Sequence, residues 1–278
     1  MRIAVIGKSG QLATCLKEVA PCELEIAFFG SNEVDITKSQ TYAFLQSVDM
    51  IINCSAYTAV DKAEECPEDA YAVNRMGVIQ LVQFCEENQI KLIHFSTDFV
   101  FDGESNSPYT EDDFTGPKSI YGASKLAGEE VVLQSSLSAV VIRTSWFYSP
   151  FGHNFCKTML RLGAEHSELS VVNDQIGTPT SALDLARVVF QMIQSGLPDT
   201  PELFHVSNAG QCSWADFARE IFNQKGLSVT VNNTSTDAFN APAPRPKYSV
   251  LSTEKLLFAY GIAMRPWKEA LKEVLSAL

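Results

Sequence analysis

Cationic charge is scarce in this sequence. Lys and Arg number 21 against 33 Asp and Glu, a formal net charge of −12. Such a balance argues against a surface built for nucleic acid or anionic membranes, yet leaves room for a local basic pocket that takes a small anion. Long apolar runs are missing as well: none approaches the roughly 20 residues of a membrane span. Met1-Arg2-Ile3-Ala4-Val5-Ile6-Gly7 is broken by glycine too soon for a signal peptide. The cysteines (15, 22, 54, 66, 85, 156 and 212) include no Cys-x-x-Cys pair. An odd number without an export signal indicates reduced thiols and a cytoplasmic protein. His94, His153, His166 and His205 show no metal-ligand spacing, so no metal site is expected. Repeats and low-complexity tracts are also lacking, apart from the proline-rich stretch 241–246.

What is present is a chain of 278 residues, 46% of them hydrophobic, enough for a large core. Short β-branched runs alternate with amphipathic stretches. Arg2–Ile6, Glu23–Phe29, Asp49–Cys54, Ile90–Ser96 and Ala139–Arg143 read as strands. Helical patterns lie between them, with Thr37 as an N-cap and Pro67 in a first turn. The alternation predicts an α/β fold, a doubly wound parallel sheet of Rossmann type, over residues 1–145. Beyond it the pattern loosens. Helices are expected at 154–163, 181–195, 213–225 (capped by Ser213), 253–260 and 266–277, with a strand and turn at 169–180. Residues 146–278 are therefore read as a smaller α/β substrate domain, with helix 181–195 able to pack back onto the first.

The first strand runs into Gly7-Lys8-Ser9-Gly10-Gln11-Leu12-Ala13 and then a helix. Strand, glycine turn, helix is the setting in which such a loop binds a dinucleotide. Glycine allows a tight turn and close approach to a pyrophosphate, and the helix N-terminus offers free N–H groups. The second strand ends Phe28-Phe29-Gly30-Ser31-Asn32, with no acid before Glu33. A carboxylate placed for the ribose of NAD is thus lacking, and Lys8 and Ser31 could serve a 2′-phosphate. The choice stays open, leaning to NADP.

Tyr121 and Lys125 stand four apart in Ser119-Ile120-Tyr121-Gly122-Ala123-Ser124-Lys125, so on a helix they share a face. Tyr-x-x-x-Lys also occurs on ordinary solvent-facing helices. An amine fixed beside the tyrosine would lower the phenol from its usual value of about 10 and make it a working acid. Thr97, at the end of the fourth strand, could donate to the same carbonyl oxygen or simply cap backbone.

The set Gly7/Gly10, Thr97, Tyr121 and Lys125 resembles the extended short-chain dehydrogenase/reductase superfamily. Tyr57-Thr58-Ala59-Val60-Asp61-Lys62-Ala63-Glu64, Ser96-Thr97-Asp98-Phe99-Val100-Phe101-Asp102-Gly103, Arg143-Thr144-Ser145-Trp146, Asp174-Gln175-Ile176-Gly177-Thr178-Pro179-Thr180 and Arg245-Pro246 narrow it. In this order they resemble the dTDP-4-dehydrorhamnose reductase family over essentially the whole chain. The resemblance implies Tyr121 as proton donor to a sugar ketone, Lys125 at the nicotinamide ribose and Thr97 at the carbonyl. It places Gly7, Lys8, Ser9, Gly10, Gln11 and Leu12 at pyrophosphate and ribose, and Asp35 and Ile36 at adenine. Ser55, Ala56, Tyr57 and Asn74 would meet the middle of the cofactor. Asp98, Trp146, Asn154, Gln175 and Arg245 fall on the substrate side. Family members can bridge a homodimer with magnesium, but Thr14-Cys15-Leu16-Lys17 lacks the early carboxylate. The implied activity is NAD(P)H-dependent reduction of a nucleotide-linked 4-keto-6-deoxysugar. Two rivals are a reductase or epimerase for another keto-sugar, and a cofactor-binding subunit like the regulator of methionine adenosyltransferase.

Overall fold

Each β-branched run that the period predicts becomes a strand, because burial on both faces of a central sheet suits it. The computed structural model describes residues 1–278. In its first half the chain runs β1 (Arg2–Ile6), α1 (Gln11–Glu18), β2 (Glu25–Phe29), β3 (Met50–Asn53), α2 (Val60–Glu65), α3 (Pro67–Tyr71), α4 (Val78–Asn88), β4 (Lys91–Thr97), α5 (Ile120–Leu133) and β5 (Ala139–Thr144). Between α3 and α4, Ala72–Gly77 winds as a π-helical segment. Pro67 takes the first position of α3, as its missing N–H favours. Thr37 does not cap a helix. Its hydroxyl donates to Asp35 at 2.7 Å, and a 3-10 helix begins two residues later at Ser39. The N-cap position falls one residue after Thr37, on Lys38.

The second half continues with β6 (Phe147–Tyr148), α6 (Phe155–Glu165), β7 (Glu168–Val172), β8 (Ile176–Gly177), β9 (Thr180–Ser181), α7 (Ala182–Ser195), β10 (Glu202–His205), β11 (Cys212–Ser213), α8 (Trp214–Lys225), β12 (Thr230–Thr234), α9 (Thr236–Phe239), α10 (Glu254–Tyr260) and α11 (Trp267–Ser276). Ser213 caps α8 in a reciprocal box with Asp216. The prolines at 241–246 stay outside helix and strand, since they lack N–H donors.

Six parallel strands form the main sheet in the order β10-β5-β4-β3-β1-β2. Alternate residues serve opposite cores. Ile3, Val5, Met50 and Ile52 face a core shared with α1, α7, α8 and α11, whereas Ala4, Ile6 and Ile51 face one shared with α4. The sheet does not end at residue 145: β10 pairs with β5 and supplies the edge strand, and α7 lies on α1. The first core therefore runs without a break from the sheet into the second half. The order in which strands are added reverses at β1, with β2 on one side of it and β3 on the other. Ligands of such sheets bind outside the strand ends at that point.

Candidate active site

Glycine at position 7 is required by geometry. Its φ is +93°, and a Cβ there would stand 2.9 Å from the backbone of Cys54 and Ser55. The loops after β1 and β3 thus touch without side chains between them. The N–H groups of Gly7 and Lys8 donate to Phe29 O, both at 3.0 Å, which ties in the end of β2. Gly10 is the N-cap of α1 and offers no side chain, so the helix presents unclaimed N–H groups to the space above the sheet. An anion is the natural partner there.

Loop Cys54–Thr58 is held from below. Asn53 Oδ1 accepts from Ser55 N at 3.0 Å while Asn53 Nδ2 donates to His94 Nδ1 at 3.1 Å. Asn74, in the π-helical segment, accepts from Tyr57 N and donates to Tyr57 O and to Ser124 Oγ. These bonds commit its amide to the loop and to α5.

Ser119 caps α5 by accepting from Gly122 N at 3.1 Å. Two further glycines let α5 sink against its neighbours. A Cβ at Gly122 would be 2.2 Å from Phe99 O, and one at Gly128 1.9 Å from Asn74 O. Tyr121 and Lys125 consequently reach one cavity of about 400 Å³, with Thr97 and Asp98 from the end of β4. Gly10, Gln11, Leu12, Ser55, Ala56 and Trp146 are among the other residues of its wall. The electrostatics differ from the expectation that Lys125 lowers the phenol. Lys125 is buried and donates to Phe95 O at 2.6 Å. Burial pulls its ammonium down to about 8, against the opposing charge of Glu129. Burial pushes the Tyr121 phenol up to about 12; a hydrogen bond with Thr97 works against this, and the charge of Asp98 adds to it. Desolvation of the phenol is the largest of these effects. Asp98, also buried, is raised to about 6 by desolvation.

A second cavity of about 430 Å³ adjoins the first across the shared side chains Phe99 and Trp146. The family described as "RmlD substrate binding domain" matches residues 1–278. A dTDP-4-dehydrorhamnose reductase of Sinorhizobium fredii is 42% identical over 100% of this chain and 98% of its own length. The chain belongs to the dTDP-4-dehydrorhamnose reductase family. Among solved structures, a dTDP-4-dehydrorhamnose reductase from Clostridium acetobutylicum superposes with a TM-score of 0.94 at 41% identity, covering 99% of each chain. One from Bacillus anthracis, solved in complex with NADP, gives a TM-score of 0.94 at 38% identity, over 100% of this chain and 99% of its own.

In this reductase-family chain the substrate-side residues are placed unevenly. Trp146, Gln175 and Arg245 line the second cavity with Phe155, Met159 and Trp214. Trp146 stacks on Trp214 with ring centroids 3.6 Å apart, and takes a left-handed φ of +46° to do so. Gln175 is committed to protein partners, donating to Thr236 at 3.0 Å and accepting from Trp214 at 3.1 Å. Arg245 forks onto Asp61 through bonds of 3.0 and 2.9 Å. Asn154 lines neither cavity. It caps α6 by accepting from Lys157 N, and its amide donates to Gln11 Oε1 at 2.9 Å. Gln11 also accepts from Ser149 Oγ, so the glycine loop is sewn to the second half. Lys8 and Ser9 are exposed, and Lys8 pairs with Glu33 at 3.7 Å. Asp35 binds Thr37 and Lys38, and Ile36 is buried against Gly77; both lie away from the cavity. Phe99, Trp214 and Asp61 escaped the sequence reading. Only Phe99 and Asp61 carried a signal, each lying inside a quoted motif. No helix is long and apolar enough to cross a membrane.

Proposed function

We propose that this protein reduces the 4-keto group of dTDP-4-dehydro-L-rhamnose to give dTDP-L-rhamnose, a precursor for cell-surface polysaccharide. The observation that carries the reading is the joint presence of Tyr121, Lys125 and Thr97 in a cavity at the sheet's reversal point, beside a side-chain-free helix N-terminus. The names of its relatives and the NADP held by the Bacillus anthracis protein support the same assignment. The loop fits a dinucleotide: Gly7 leaves no room for a Cβ, and α1 has unclaimed N–H groups for a pyrophosphate. NADPH or NADH supplies the hydride. Gly10, Gln11 and Leu12 hold the diphosphate, with Ser55 and Ala56 along the middle of the cofactor. Asn74 and Asn154 act as braces of these loops.

Tyr121 gives its proton to the carbonyl oxygen as negative charge grows there. Its high pKa keeps it fully protonated at neutral pH, as an acid must be. Lys125, still largely cationic at neutral pH, stabilises the phenolate left behind. Arg245 is the one cation lining the second cavity and faces the nucleotide diphosphate, with Trp146 and Trp214 as its apolar wall. Residues 146–278 form the substrate-facing part, apart from α7 and β10.

The test supplies enzymatically made dTDP-4-dehydro-L-rhamnose with NADPH or NADH and follows loss of reduced-cofactor absorbance. Tyr121→Phe should lose about 10²–10⁴-fold in kcat, the usual worth of a positioned acid, while still binding cofactor. Near-normal turnover by that variant would defeat the acid assignment. No cofactor oxidation with any keto-sugar would defeat the reductase reading itself.

A further inference from the structure

A hydroxyl has one hydrogen and two lone pairs. On Thr97 the hydrogen and one lone pair are taken. The hydrogen goes to Asp98 Oδ1 at 3.1 Å. One lone pair accepts from Phe99 N at 3.3 Å. Arranged this way, Thr97 has no hydrogen left for a ketone. The other carboxylate oxygen of Asp98, Oδ2, is buried without a hydrogen-bond partner, and so is the nearby hydroxyl of Ser249. Asp98 is only 2% exposed, yet it lines the reaction cavity.

We propose that Asp98 is a positioning residue that sets the direction of the Thr97 hydroxyl. As a carboxylate it holds the Thr97 hydrogen in a charge-assisted bond. Protonated on Oδ2, where Ser249 can accept, it leaves Oδ1 a neutral and roughly half as strong acceptor. The Thr97 hydrogen then turns to the ketone oxygen and joins Tyr121 there as a second donor. One O–H bond forms on Asp98 with a proton taken from solvent, and one hydrogen bond changes partner. The inference rests on the reductase reading for its activity test, but not for its titration test.

Asp98 titrates near 6, where the other groups around it are silent. From α5, Tyr121, raised to about 12, and Lys125, at about 8, line the same cavity. Thr97 and Ser249 are the uncharged neighbours, and His94 on the same strand is kept neutral by burial.

Two measurements decide the matter. In the cofactor-free protein, carbon NMR of the Asp98 carboxyl, assigned by its loss in Asp98→Asn, should show a midpoint near 6 that rises in Thr97→Val. A midpoint near the ordinary value of about 4, or one indifferent to Thr97→Val, would overturn the proposal. In turnover, wild-type kcat/KM for keto-sugar reduction should fall about threefold or more between pH about 5.5 and 7.5. Both Asp98→Asn and Thr97→Val should flatten that fall. A slope that survives in Asp98→Asn shows that another group titrates. A slope that survives in Thr97→Val shows that Asp98 acts without the hydroxyl, and either result sinks the proposal. Absence of activity in the wild type would instead count against the reductase reading and leave the NMR arm to decide.

Discussion

Gly128→Ala offers a sharp test of how α5 is seated. The added methyl would stand 1.9 Å from the Asn74 carbonyl oxygen, where ordinary contact begins near 3.4 Å. Relief requires about 1.5 Å of movement by α5 or by the π-helical segment, and the obstacle is backbone rather than a swinging side chain. Overpacking of this kind costs about 1–3 kcal/mol, and the rigid obstacle puts it at the upper end. The gain in helix propensity from Gly to Ala returns about 0.5–1 kcal/mol. A net loss of about 2 kcal/mol corresponds to roughly 4–8 °C in Tm for a chain of this size. The same shift carries Tyr121 and Lys125 with it, and a displacement of about 1 Å at reacting groups can cost about 10²-fold in rate. Thermal unfolding and cofactor oxidation should be measured together. Ala127→Gly serves as the control, since it disturbs propensity by about 0.5–1 kcal/mol without a clash. If Gly128→Ala melts no lower than wild type and turns over normally, the close seating of α5 on Asn74 is wrong.

Arg143 and Glu129 form a buried fork, with side chains 4% and 1% exposed. Arg143→Met leaves the Glu129 charge unpaired and should cost about 3–5 kcal/mol in urea unfolding, with most of it recovered in Arg143→Met/Glu129→Leu. A double variant as unstable as the single would show that the charge is not what matters. Glu273 is held down to about 2 by its hydrogen bonds with Arg187 and then Arg265, against burial. Its contribution to stability is complete above the unfolded carboxyl's 4.5 and disappears as pH falls towards 2. Glu273→Gln should therefore flatten the acid limb of the stability curve between those values, and an unchanged limb would place the loss elsewhere.

The parts of this fold that read directly from sequence are those whose cause is local. Val5 and Ile6, or Ile51 and Ile52, sit in runs that only a doubly covered strand satisfies. Ser213 three residues before Asp216 spells out its own cap. Tyr121 and Lys125 reach one cavity because the helical period puts them on one side. What stayed hidden depends on partners far along the chain. Glu202–His205 is too short and too polar to announce a strand; its state comes from pairing with β5. Thr230–Thr234 is likewise a strand only against β7. Arg245 meets Asp61 across 184 positions. Spacing also says nothing of depth. It puts an amine and a phenol side by side, but burial decides that the phenol rises and the amine falls.

The edge strand β10 has a consequence for how the protein is made. On the ribosome, β5 emerges roughly 60 residues before its partner, a delay of about 3–12 s at common rates of synthesis. Through that interval its outer row of amides and carbonyls is bare, a template for any other nascent chain. Truncation near residue 145 would make that brief hazard permanent, so the first half of the chain is a poor candidate for expression alone.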